Sequence, residues 1–401
     1  MQIKSLICVS AALAGAASAL DLPKFSQKDI DSGAALAALN KIATQNAMKN
    51  FKGKCKKSNY RVRQEWRTIP PGQRRKYIEA VKCFQKKPSV FPEIEGAVSA
   101  YEDLQWIHLN RTWEVHFSGL FLPWHRYLMH VYERELEACG YKGPTPYWEW
   151  GFDTEGDLGN SPVFDGSDTS IGSNGAHVPH EGYNITIWPD APPVTYPPGN
   201  GGGCIAKGPF SDMDTHLGPM QLSDWGTSIP KSVEDPTRKN TRCVSRDLNN
   251  VFLKAHANFR NTTNLILLNQ ELDIFQAALA NDARFYSDPR MAPFVGDQGV
   301  HFGGHMSIGG DPAGDFFLSN GDPAFYLHHG QVDRVWWIWQ HLDPANRHNV
   351  SGTHTFLNVI PGPSPEVDLD EEMVVHPNMP PVVIRDLMNT LGGEPLCYVY
   401  I

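Results

Sequence analysis

Long apolar runs are missing from this chain beyond its N-terminal stretch, so no membrane-spanning helix of ~20 apolar residues is expected. There is no dinucleotide-binding glycine motif and no internal repeat, which argues against a Rossmann-type enzyme and against a solenoid. Positive charge is in deficit: 35 Lys and Arg stand against 44 Asp and Glu. The formal net charge of −9 argues against a general nucleic-acid binder. Cysteine is sparse, at seven in 401 residues, a length that suits one large or two ordinary domains with real cores. Aromatics, by contrast, make up 11% of the chain and include 11 Trp, enough for a heavy aromatic core or an aromatic-lined site.

The exception at the N-terminus has the pattern of a secretory signal over residues 1–19. Lys4 supplies the positive start, Leu6 to Ala16 the apolar stretch and Ala17-Ser18-Ala19 the cleavage pattern. A secreted, extracellular chain over 20–401 is the expectation. Cleavage removes Cys8 and leaves six cysteines, which in an oxidising compartment read as three disulfides. The expected set is Cys55–Cys83, Cys204–Cys243 and Cys139–Cys397. Glycosylation sequons at Asn110, Asn184, Asn261 and Asn349 fit the same route.

Helical periodicity recurs along the chain. It covers about 30–50, the stretch opened by Pro70-Pro71 with Tyr77, Ile78, Val81 and Phe84, and about 96–117. It returns from Pro123 to the Cys139-Gly140 stop, and across about 244–281. Between 143 and 236 the composition is Pro, Gly, Asn and Asp, which predicts irregular structure pinned by a disulfide. The tail beyond 350 suggests short strands. Residues 52–87 hold thirteen Lys or Arg against two Glu, and a solvated face balancing an acidic remainder explains them better than a polyanion site.

The best-marked helix runs from Asp322 toward Gln340. Asp322 can cap it, Pro323 suits its first position, and Asp343-Pro344 ends it. It carries His328 and His329 among tryptophans, with Asp333 one turn on, a pattern that suits a metal ligand with a carboxylate orienting it. Upstream, His301 and His305 share a helix face at i, i+4, with Gly303 and Gly304 between them where something must approach closely. His108, His116 and His125 form a second group. Imidazole-only ligation suits copper, zinc, iron or nickel, and periodicity does not choose between His328 and His329.

His108…His116-Phe-Ser-Gly-Leu-Phe-Leu-Pro-Trp-His125-Arg and His301-Phe-Gly-Gly-His305…Asp322-Pro-Ala-Phe-Tyr-Leu-His-His329 resemble the two copper signatures of the tyrosinase/catechol oxidase (polyphenol oxidase) family, especially its secreted short-form fungal members. Val62-Arg-Gln-Glu-Trp-Arg67 and Tyr398-Val-Tyr400 resemble the two ends of that family's catalytic core. The resemblance implies a mainly α fold. An antiparallel four-helix bundle would enclose a dinuclear type 3 copper site, with long disulfide-pinned loops and a few short peripheral strands. It implies one copper on His108, His116 and His125, and the other on His301, His305 and His329. His328 and Asp333 would stand behind the ligands. Its chemistry is oxidation of small phenols by O2.

Five positions depart from common family patterns or bear on them. Glu114 stands where many relatives have a cysteine crosslinked to the second histidine. Phe316 occupies the gate position over one copper. Gln298 replaces a glutamate that holds a water in several tyrosinases, and an amide is no base at neutral pH. Phe302 and Met306 follow the two ligands His301 and His305. Together these favour oxidation of o-diphenols (catechols) to o-quinones with weak or no monophenol hydroxylation. The alternatives are a true tyrosinase with monophenolase activity, an o-aminophenol oxidase and, from another class, a haemocyanin-like O2-binding protein; a zinc hydrolase is remoter. The chain stops just after Tyr398-Val-Tyr400, so a C-terminal lid domain is not expected.

Overall fold

The computed structural model describes residues 22–185, 194–222 and 230–401, so the signal sequence expected over 1–19 lies outside the described residues. The chain is mainly helical. Its helices are α1 Gln27–Asp31, α2 Ala34–Ala47, α3 Pro71–Phe84, α4 Ala100–Val115, α5 Phe121–Ala138, α6 Asn250–His256, α7 Phe259–Leu268, α8 Leu272–Ala280, α9 Val300–Ile308, α10 Ala324–Leu342 and α11 Pro344–Arg347. No helix among the described residues is long and apolar enough to cross a membrane.

The axis of the fold is α10, every residue of which is buried. That explains its tryptophans, since a helix buried on every side has no solvent face to keep polar, and its charged side chains must find partners inside. It packs on α2, α5, α7 and α9. Its start corrects the expected boundary: the helix begins at Ala324, with Pro323 in the cap position. Asp322 does accept the Ala324 N–H at 2.8 Å, but its main partner is Arg246, which grips both carboxylate oxygens at 2.7 Å with neither side chain exposed.

A small parallel sheet closes the far side. Strand β1 (Arg61–Glu65) lies between β2 (Thr145–Tyr147) and the terminal strand Tyr398–Tyr400, with Arg61 opposite Tyr398 and Arg63 opposite Thr145. Among the described residues four two-stranded ladders pin the long loops, including 214–215 with 242–243.

Two of the three expected disulfides are overturned. The bonds are Cys55–Cys397, Cys83–Cys139 and Cys204–Cys243. Pairing of β1 with the terminal strand carries Cys397 back to the Cys55 loop. Cys83 lies at the end of α3, packed against α5, and meets Cys139 just past the end of α5. Within the basic run 52–87, Lys54 pairs with Glu394, Arg61 with Glu137, Arg67 with Asp153, Arg75 with Asp168 and Lys87 with Glu135. Among the sequons, Asn110 and Asn184 are exposed, whereas Asn261 donates its amide to Ala255, His256 and Asp297 at 2.7–3.1 Å.

Candidate metal centre

Four helices deliver seven histidines to one place. His108 lies on α4, His116 at its C-terminal end, His125 on α5, His301 and His305 on α9, and His328 and His329 on α10. They fall into two groups with nitrogens close enough to share an ion, His108/His116/His125 and His301/His305/His328/His329. The groups touch: the His125 and His329 rings stack at 4.7 Å, and Phe325 stacks on His329 at 4.0 Å.

The first group is oriented by backbone. Nδ1 of His108 meets the Phe317 carbonyl at 2.7 Å, that of His116 the Thr112 carbonyl at 3.1 Å and that of His125 the Phe121 carbonyl at 2.8 Å. A carbonyl can only accept, so each Nδ1 carries the proton and each Nε2 keeps a lone pair. Nε2 of His108 and of His125 is buried without a partner. Such atoms are costly unless something binds them.

In the second group, Nε2 of His305 lies 3.2 Å from Nε2 of His301 and 3.2 Å from Nε2 of His329. Nitrogens each about 2.0–2.1 Å from one ion at tetrahedral angles would be roughly 3.3 Å apart, so this spacing fits a shared metal. His328 is different. Its Nδ1 accepts the Trp150 indole N–H at 3.2 Å, which uses one lone pair and puts the proton on Nε2. Hydrogen bonding thus sets His328 apart from His329, two neighbours that periodicity did not distinguish.

Burial keeps these imidazoles neutral, the form that binds metal. It pulls His108 down to about 4 and His305 to about 3, and depresses His116, His125, His301, His328 and His329 well below the usual range. Neighbouring histidines push several the same way.

Asp333 does not orient His329, against expectation. Its carboxylate accepts from Arg126 Nε at 2.6 Å, Arg63 Nη1 at 2.8 Å, Tyr398 at 2.7 Å and Tyr400 at 2.6 Å. Burial works to raise its pKa, but Arg126 and Arg63 outweigh that and hold it low. The residue lies one turn beyond His329, on the helix flank that faces β1 and α5. The expected close approach at Gly303 and Gly304 comes from protein: a Cβ on Gly304 would sit 2.3 Å from the His328 ring, and one on Gly303 2.5 Å from His256.

A cavity of about 60 Å³ opens beside the histidines, lined by His116, His301 and His305 together with Phe302, Met306 and Phe316. The Phe316 ring lies 4.6 Å from His116 and covers it. Gln298 is not among the lining residues; its Oε1 accepts the Asn281 amide at 3.0 Å. Glu114 pairs with Arg111 at 3.1 Å on the surface. Sequence reasoning missed Phe317, Phe325, Trp150 and Leu222, because none carries a donor set or spacing that marks it. Phe117 follows His116 at φ +48, strained for a non-glycine residue, and its carbonyl is held by Arg284 at 3.1 Å and Leu357 at 3.2 Å.

Residues 98–342 match the family model described as the common central domain of tyrosinase. The chain belongs to the tyrosinase family. It is 38% identical over 317 residues to the tyrosinase-like protein orsC of Emericella nidulans, covering 76% of this chain and 81% of that one. It is 32% identical over 387 residues to the N-acetyl-6-hydroxytryptophan oxidase ivoB of the same organism, covering 92% and 99%. Among solved structures it resembles a polyphenol oxidase from Thermothelomyces thermophila, with a TM-score of 0.81, 32% identity, and coverage of 93% of this chain and all of that one. Tyrosinase-family proteins of this kind are copper-dependent oxidoreductases, and this chain is an enzyme of that class.

Proposed function

We propose that the chain oxidises o-diphenols to o-quinones with O2 at a dinuclear copper centre, with little monophenol hydroxylation. Copper would be held by His108, His116 and His125 on one side and by His301, His305 and His329 on the other, inside an antiparallel bundle of α4, α5, α9 and α10. The observation that carries the reading is His305 Nε2 lying 3.2 Å from both His301 Nε2 and His329 Nε2, opposite three imidazoles whose Nδ1 protons are tied to carbonyls. When bound, the two copper ions would supply the redox chemistry, taking two electrons from each diphenol and passing four to each O2 to give water.

The protein's own residues orient and restrict. Backbone carbonyls fix the imidazole faces before substrate arrives, so little reorganisation remains. Phe302, Met306 and Phe316 make an apolar wall that excludes water and aligns an aromatic ring. Phe316 over His116 crowds the approach a monophenol would need on that side. Among the described residues the lining holds no Lys or Arg to pair a substrate carboxylate, and the oxygens of its carboxylate Asp315 are taken up by the Met220 and Phe317 N–H groups, which favours uncharged phenols over amino-acid phenols. The three disulfides support an oxidising, extracellular destination.

A substrate panel on copper-loaded protein tests this: catechol, 4-methylcatechol, DOPA, tyrosol and o-aminophenol. Quinone from catechols at rates far above tyrosol and DOPA is expected. Equal turnover of tyrosol and catechol would show a true tyrosinase, and dominant o-aminophenol turnover an aminophenol oxidase. Reversible O2 binding without quinone would show a carrier.

A further inference from the structure

The cavity has a wall that comes from outside the histidine helices. Residues 218–222 belong to the irregular stretch between α5 and α6, yet Leu222 lines the cavity beside His116, His301 and His305. Leu222 also packs on two separate apolar clusters. One contains Met306, Phe252 and Tyr196 with Phe302 against them. The other contains Phe317, Leu318 and Leu217 with Phe316 against them. Among the described residues Leu222 is common to both, so it bridges the Phe302 wall and the Phe316 wall.

The residues leading into it, 218–221, are anchored. Met220 donates its N–H to Asp315 Oδ2 at 2.7 Å, while Asp315 Oδ1 takes the Phe317 N–H at 2.8 Å. One buried carboxylate, itself part of the cavity lining, therefore clasps the segment leading into Leu222 to the loop that carries Phe316. Gly218, at φ +75, lies so close to Leu318 that a Cβ would come within 2.1 Å of it. Gln221 donates its N–H to the Ser232 hydroxyl at 2.8 Å, and Val233 donates to the Pro219 carbonyl at 3.1 Å.

We infer that Leu222 is the side chain that limits the width of the phenolic ring the cavity admits, and that Asp315 is a positioning residue holding it there through Met220. The inference rests on the reading of this cavity as a phenol site. The physical ground is size. At about 60 Å³ the cavity is well below the ~150 Å³ of an apolar cavity that holds benzene, so a ring fits only by extending toward the mouth. A substituent on that ring then meets the bridge between the two walls. Truncating the bridge removes packing from both sides, and the freed volume is next to the substrate.

The test uses full-length protein as wild type, Leu222→Ala, Leu222→Phe and Asp315→Asn. kcat/KM is measured for catechol and 4-tert-butylcatechol on copper-loaded protein. Calorimetric affinities for phenol and 4-tert-butylphenol are measured on metal-free protein. The bulky-to-small ratio should rise about tenfold in Leu222→Ala, chiefly through KM, and fall comparably in Leu222→Phe. Asp315→Asn keeps one acceptor oxygen instead of two, and should raise the ratio with copper content retained. Ratios within about twofold of wild type in both Leu222 variants would overturn the wall. A response in Leu222→Ala but none in Asp315→Asn would overturn the clasp. If wild type oxidises neither catechol, the reaction assigned above fails, and the calorimetric ratios decide the wall by the same limits.

Discussion

His328 and His329 are adjacent in the chain and both buried, yet hydrogen bonding separates them. His328 has its Nδ1 engaged by Trp150, and His329 presents Nε2 to His305. Replacing His329 by Ala should therefore lower bound copper from two ions to one per chain, read by elemental analysis. His328→Gln should retain two ions with affinity weakened by roughly 10–100-fold, as for outer partners of metal ligands. Equal loss in both variants would refute the distinction. Phe316 is a second single-residue prediction. Its ring covers His116, so Phe316→Ala should raise monophenol turnover relative to the matching diphenol by roughly tenfold. Unchanged relative rates on paired mono- and diphenols would remove Phe316 as a gate.

At the scale of elements, α10 depends on charge pairs buried along its length. Arg246 holds Asp322 at its start, and Asp333 near its middle joins α5, β1 and the terminal strand through Arg126, Arg63, Tyr398 and Tyr400. Removing one partner of such a pair leaves an uncompensated buried charge, which costs about 3–5 kcal/mol. Asp333→Ala and Arg246→Ala should each lose about that much in chemical denaturation. A loss below ~1 kcal/mol would mean that water reaches these sites and solvates the remaining charge. The Tyr398-Val-Tyr400 motif gains a physical meaning here. Both phenols donate to Asp333, and Asn40 of α2 donates to the Tyr400 carbonyl at 3.2 Å, so the terminal strand bolts α2 and α10 together.

The whole molecule stores many neutral histidines in its interior. Apart from the metal centre, burial takes His341 down to about 3 and His130 and His348 to about 4. Each folded-state value lies below the ~6.5 of the unfolded chain. Between those limits the unfolded chain binds more protons, so stability is complete above about pH 6.5 and falls as pH drops toward 4. The centre's own histidines add to this in metal-free protein, and copper should oppose it because it binds only the neutral form. The denaturation midpoint of metal-free protein should fall steadily from pH 7 to pH 4.5, and copper-loaded protein should fall later. A flat metal-free profile would contradict the buried neutral state.

Local rules determined much of this molecule. Helical periodicity and stop signals located α3, α4, α5 and the α6–α8 region to within a few residues, because amphipathic helices write their faces at fixed spacing. Cys204–Cys243 was legible as well. Motif and spacing singled out the histidines that the fold brings together. Only the tertiary structure decided matters that depend on contact between distant segments. Cys55 pairs with Cys397 across 342 residues because parallel strands meet there, and no local pattern encodes strand order. Asp333 turned from the expected histidine to two arginines because its direction depends on which neighbours α10 packs against. Leu222 reaches the cavity from a loop without periodicity, and a leucine in such a loop carries no sign of its destination until the chain is folded.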